Sequence, residues 1–220
     1  MKILFLGKKN DYYAKLAVKI FKDKKCSVQS LFIDKNANFD KKTLNWKGDY
    51  IISYLCPIKV PAKLIKNANK IAINFHPGPP EYPGIGCTNY AIYNEDKNYG
   101  VTCHIMTDKI DDGLILSVKR FRMKKNETLF SLTMQSYKKM YELFIDISNN
   151  ILSETSLVVS NKYKWKGKAK TRADFLDFLK LNTNMSHNEI KKRIFSTTYP
   201  GFDAAYFNIK GIKFFGKIDD

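Results

Sequence analysis

Six short apolar runs, at residues 2–6, 28–33, 50–54, 71–75, 101–106 and 114–121, punctuate this 220-residue chain and are separated by polar segments bearing glycine or proline. Runs of this length, rich in Ile, Val, Leu and Phe, predict strands. Between them the spacing changes. Over residues 12–24, Tyr13, Leu16, Ala17, Ile20 and Phe21 recur at helical intervals, and residues 60–67 and 88–94 predict two short helices. Residues 128–152 place Leu129, Leu132, Met140, Leu143, Ile147 and Ile151 on one face of a long helix, with Asn126 supplying its N-terminal turn. Strand, turn, helix at the start, repeated afterwards, predicts an α/β fold: an open, mostly parallel twisted sheet with flanking helices.

The pattern breaks at residues 161–168, a polar, lysine-rich, Gly-containing stretch that reads as a linker or exposed extension. It divides the chain into a main domain, 1–160, and a small C-terminal appendage, 161–220. The appendage should hold helices at 172–181 and 186–195, the second opened by a Ser186–Glu189 capping box, and a hairpin over 204–215 turning near Lys210-Gly211. Tyr206, Phe207, Phe214 and Phe215 would pack on the core or on a neighbouring subunit, which leaves a homodimer open.

Charge changes the picture less than its size suggests. The net charge is +17, yet among 38 basic residues only Arg120, Arg122, Arg172 and Arg193 are arginine, the residue that bidentate phosphate and base recognition favours. The lysines are spread along the whole chain, so a nucleic-acid function is disfavoured, although a diffuse positive field would draw an anionic substrate. No apolar run is long enough to span a bilayer or serve as a secretory core, and the expectation is a soluble, cytoplasmic protein. Cys26, Cys56, Cys87 and Cys103 are scattered without metal-ligand spacing and read as free thiols, with no metal expected.

Chemistry concentrates in the middle of the chain. The run Ile71–Phe75 ends in Asn74-Phe75-His76 and is stopped by Pro77, Pro79, Pro80 and Pro83, so Asn74 and His76 share a strand face at its end. A second strand, through Gly100-Val101-Thr102-Cys103-His104, runs into a loop with Asp108, Asp111, Asp112 and Gly113. An amide that can donate to an oxyanion, an imidazole that can take a proton and a carboxylate that can hold the imidazole suit acyl transfer. His104, inside its strand, reads as a supporting or structural residue.

Asn-x-His at a strand end, the Pro- and Gly-rich loop, and Gly-Val-Thr-x-His leading to Asp-x-Gly together resemble the formyltransferases that use N10-formyltetrahydrofolate, strongly over residues 50–116. The resemblance implies a Rossmann-like formyltransferase fold with residues 1–160 as catalytic domain, and Asn74, His76 and Asp111 as catalytic residues. It implies donor contacts from Tyr54, Leu55, Cys56, Ile58, Asp108, Ile110 and Gly113, largely through loop backbone. The version His-Pro-Gly-Pro-Pro-x-Tyr-Pro-Gly at 76–84 is similar to sugar-nucleotide N-formyltransferases acting for bacterial surface polysaccharide. The acceptor would then be a nucleotide-linked amino-dideoxy sugar, met by Lys8, Asn10, Tyr12, Pro79, Tyr82 and Tyr90. Methionyl-tRNA and glycinamide ribonucleotide formyltransferases are the enzyme alternatives, and a noncatalytic folate- or nucleotide-binding module is the alternative of another class.

Overall fold

The computed structural model describes residues 1–218. A six-stranded sheet is built from β1 (Lys2–Lys8), β2 (Ser27–Ile33), β3 (Gly48–Tyr54), β4 (Ala68–His76), β5 (Asn98–Ile105) and β6 (Ile115–Arg122), in the order β2-β1-β3-β4-β5-β6. The first four strands are parallel, and β5 and β6 run antiparallel to their neighbours. This is the open, mostly parallel sheet that the sequence pattern predicts.

Alternation along the strands gives each sheet face its own core. Ile3, Phe5, Tyr54, Ile73, Phe75, Val101 and Cys103 lie under α1 (Tyr12–Asp23) and α5 (Leu129–Leu152). Leu4, Leu6, Ile51 and Ala72 point the other way and pack with Val60 and Leu64. The connections there carry only single turns, α2 (Lys41–Leu44) and α3 (Ala62–Ile65). All six apolar positions assigned to the long helix are buried in α5. Its cap is Thr128, not Asn126: Thr128 Oγ1 accepts from Ser131 N at 3.1 Å and Ser131 Oγ accepts from Thr128 N at 3.2 Å. Asn126 falls in the turn before it.

A short helix α4 (Cys87–Tyr93) links β4 to β5, and beyond α5 come α6 (Arg172–Phe178), β7 (Lys180–Leu181), α7 (His187–Thr197), β8 (Tyr206–Ile209) and β9 (Ile212–Phe215). The helix expected over 172–181 stops early because its last carbonyls find tertiary donors. Tyr206 N bonds Leu179 O at 2.8 Å, and Arg193 Nη1 reaches Phe178 O at 3.1 Å. Residues 180–181 then pair with β8 in a three-stranded sheet whose β8–β9 hairpin turns at Lys210-Gly211. At Ser186 only half of the expected capping box forms. Glu189 N donates to Ser186 Oγ, while the Glu189 carboxylate goes to Tyr93 Oη at 2.7 Å and Arg193 Nε at 2.6 Å.

The largest departure lies at 161–170, which is no free linker. Lys166 N donates to Pro80 O at 2.8 Å, Lys170 N to Pro83 O at 2.9 Å, and Ile85 N returns a bond to Lys170 O at 2.9 Å. Lys166 Nζ stands 3.1 Å from Glu81, which also receives the Arg120 guanidinium on both oxygens. A lysine-rich segment pattern cannot reveal these partners, because they are backbone groups of a proline-rich loop distant in sequence.

Candidate active site

The strand ends of β3 and β4 meet β5 where the sheet changes from parallel to antiparallel, the region where open α/β sheets bind ligands. Register places Asn74 directly opposite His104 and His76 opposite Thr102. Asn74 Nδ2 and His104 Nε2 are therefore 3.1 Å apart. The loop between β5 and β6 brings Asp111 between the two histidines. Asp111 Oδ2 is 3.1 Å from His76 Nδ1 and accepts from Gly84 N at 2.8 Å, while Oδ1 is 3.2 Å from His104 Nε2 and 3.5 Å from Asn74 Nδ2. The other ring nitrogens are held too: His76 Nε2 donates to Tyr82 O and His104 Nδ1 to Ile105 O, each at 2.9 Å.

Asp111 is 8 % exposed, and burial opposes its charge, but His76, His104 and the Gly84 N–H outweigh burial and hold the carboxyl well below the usual range. Placement distinguishes the three carboxylates of this loop. Asp112 is exposed and lies 3.9 Å from Lys109, and Asp108 is exposed. Asp111 pays for its position with a φ of 45°, a left-handed conformation that Asp tolerates better than most residues. Glycines permit close approaches in this loop and in the Pro-rich loop facing it. A Cβ on Gly113 would stand 1.8 Å from Ile105 O, and one on Gly84 2.3 Å from Lys170 O.

Beside this cluster lies a cleft of about 300 Å³ whose wall includes Asn74, His76, His104 and Asp111. Leu55, Cys56, Ile58, Val60, Met106 and Ile110 make it largely apolar. Leu55, like Asp111, has a positive φ, 54°, which turns the chain sharply after β3. Cys56 is part of the wall, and burial pushes its thiol up to about 11.

Of the residues assigned to the donor, Leu55, Cys56, Ile58 and Ile110 line this cleft. Tyr54 does not: its side chain turns to the opposite face, stacks on Phe5 and packs against Phe75 and, edge-on, Phe144, because successive strand residues alternate, and Ser53 takes the cleft side. Asp108 points to solvent, and Gly113 offers its carbonyl to Trp165 Nε1 at 2.8 Å.

The acceptor set is likewise dispersed. Tyr82 donates its hydroxyl to Asp96 at 2.6 Å, Tyr90 packs on Phe178 with ring centroids 4.8 Å apart, and Pro79 is buried in the loop, its carbonyl bonded by Tyr82 N. Lys8, Asn10 and Tyr12 do follow β1, but Lys8 Nζ lies over Tyr137 and Tyr12 is exposed. The N-terminus of α1 is already capped by Asp11, whose carboxylate accepts from Ala14 N at 2.8 Å. An anion there would meet a negative charge in the place where a helix dipole would otherwise attract it.

Two residues outside the predicted set join the cluster. His104 touches Asp111 directly, and its register opposite Asn74 is the signal that exposes this. Trp165, inside the supposed linker, packs edge-on against His104 and His76 with centroids 5.1 and 5.7 Å away. Among the described residues no group of three or more His, Cys, Asp or Glu is arranged to hold a metal ion, and no helix is long and apolar enough to cross a membrane.

Residues 5–148 match the family model described as Formyl transferase. A GDP-perosamine N-formyltransferase of Brucella melitensis is 32% identical over 102 residues, which cover 46% of this chain and 37% of that protein. The chain thus matches little more than a third of the length of that curated relative. Among solved structures, a sugar N-formyltransferase from a Shewanella species superposes with a TM-score of 0.79 at 19% identity, covering 99% of this chain and 97% of the other. An N-formyltransferase of Helicobacter canadensis, solved with folinic acid and dTDP-3-aminofucose, gives a TM-score of 0.71 at 20% identity, with 97% and 86% covered.

Proposed function

The chain belongs to the formyl transferase family, and on that premise we propose that it moves a formyl group from N10-formyltetrahydrofolate to the amine of a nucleotide-linked amino-dideoxy sugar. The observation that carries the reading is the Asn74–His76–His104–Asp111 cluster opening onto an apolar cleft. The cleft suits a flat pterin, bound between the loop after β3 and the loop around Ile110. The Brucella and Helicobacter relatives, whose names specify GDP-perosamine and dTDP-3-aminofucose, support a sugar nucleotide as acceptor.

In this reaction the amine attacks the formyl carbon, a C–N bond forms, and the carbonyl oxygen becomes an oxyanion. Asn74 donates an N–H to that oxygen without adding charge. As substrate displaces Tyr82 O, the Nε2 proton that bonded it leaves to solvent; His76, its Nδ1–H held by Asp111, then takes the amine proton at Nε2, and Asp111 stabilises the imidazolium that forms. The C–N bond to the folate nitrogen then breaks, and the His76 imidazolium gives its proton to that departing nitrogen. Residues 1–160 carry the chemistry. The segment from 161 onward closes one side of the site, with Asp219 and Asp220 outside the described residues. The reading places the reaction in the cytoplasm, upstream of a formylated surface polysaccharide such as an O-antigen.

The test is a screen of N10-formyltetrahydrofolate against GDP-, dTDP- and UDP-linked amino-dideoxy sugars, followed by product mass. Gain of one formyl group on one sugar is the expected result. Transfer only to charged initiator tRNA or to glycinamide ribonucleotide overturns the acceptor class, and folate binding with no transfer to any amine overturns the reaction.

A further inference from the structure

We infer that Trp165 is a positioning residue of the reacting site, delivered by a strap of chain, residues 161–170, that the family model does not reach. Its indole N–H donates to Gly113 O at 2.8 Å, in the same loop that carries Asp111. Its ring meets His104 at an interplanar angle of 88° and His76 at 71°, both edge-to-face. One side chain therefore touches both imidazoles and is tied to the segment holding the carboxylate between them.

The strap that carries it is anchored at both ends of the Pro-rich loop. Lys166 N bonds Pro80 O, Lys170 bonds Pro83 and Ile85, and Lys166 Nζ joins the Arg120–Glu81 pair. Trp165 does not line the apolar cleft. It covers the histidines away from it, so it touches neither reacting atom in the arrangement proposed above. Its contribution is to restrict the rotation of His76 and His104 and to keep water from competing for Asp111. Edge-to-face aromatic contacts have specific geometry, and a displacement of about 1 Å in a reacting group can cost about 10²-fold in rate.

This inference rests on reading Asn74, His76 and Asp111 as the reacting groups, and the first of its two tests needs no acceptor. The chain has only three histidines, His76, His104 and His187, and the last lies at the start of α7. Ring-nitrogen NMR of isotope-labelled protein thus reads the two site imidazoles against an internal reference. In Trp165→Ala the His76 and His104 signals should move toward that of His187, and Trp165→Phe should restore them in part. With an accepted amine, Trp165→Ala should lower kcat about tenfold while KM changes less than about twofold, and Trp165→Phe should recover most of kcat. Unchanged imidazole signals in Trp165→Ala overturn the inference even if no acceptor is found. So does a loss of activity that falls on KM alone, or equal loss in both variants with a matching fall in melting temperature.

Discussion

Replacing Asp111 by Asn removes a charge and one acceptor while keeping the side chain's shape, and Asn accommodates the φ of 45° as readily as Asp. In the native site one carboxylate oxygen receives Gly84 N at 2.8 Å and faces His76, and the other faces His104 and Asn74. An amide has one oxygen, so its NH₂ must point at one of these pairs and lose what that oxygen accepted. Hydrogen bonds to a charged group contribute about 1.5–3 kcal/mol each, and breaking a buried pair outright costs about 3–5 kcal/mol. With one oxygen retained, the expected loss is about 2–4 kcal/mol near pH 7, or roughly 5–15 °C in melting temperature for a chain of this size.

The same argument fixes the pH dependence. The folded carboxyl lies below its unfolded value of about 3.9, so its stabilisation is complete above that value and is lost as pH falls through the folded one. The stability gap between wild type and Asp111→Asn should be full near pH 5 and shrink toward about pH 3. Urea denaturation at these pH values measures it. Turnover should fall by about 10²–10⁴, the usual range for a group that supports proton transfer. A variant as stable as wild type near pH 7, or a gap that persists unchanged at about pH 3, would refute the account of Asp111 as the hub of the site.

Other substitutions separate chemistry from scaffold. Asn74→Ala should lose about 10²–10³ in kcat, the worth of one oxyanion donor, with its circular dichroism spectrum kept and a stability loss of about 1–3 kcal/mol because buried His104 Nε2 loses its amide partner; near-normal turnover would remove Asn74 from the chemistry. Gly113→Ala should destabilise by about 3 kcal/mol or more, beyond ordinary overpacking, because the new methyl would sit 1.8 Å from a backbone oxygen; calorimetry reads it, and a native melting temperature would contradict the loop geometry. Arg120→Ala should cost less than about 1 kcal/mol despite its two-oxygen contact with Glu81, since the pair is partly solvated and salt-screened; a larger loss in denaturation would mean that the strap depends on it. Met140→Ala, in the fully buried face of α5, should cost about 2–5 kcal/mol by thermal denaturation, and a loss below about 1 kcal/mol would mean that the α5 core repacks.

The sequence by itself determined what depends on local order. Apolar period placed β1 to β6, α1 and α5, because a buried strand or helix face must be apolar whatever lies opposite. The strand period also put Asn74 and His76 on one face, and Asp-x-Gly was visible as a motif. Tertiary structure decided whatever depends on a partner. It set Asp111 apart from Asp108 and Asp112 in placement, since among the three only Asp111 reaches two imidazoles and the Gly84 N–H. It shortened the helix after Thr171, whose final carbonyls are claimed by Tyr206 and Arg193. It turned Tyr82 toward Asp96, an orientation that residue type does not encode. It also converted a lysine-rich linker into the strap that seats Trp165 on the histidines. Hydrogen bonds to distant backbone leave no period in a sequence, and there the physical information lies in which chain segments meet.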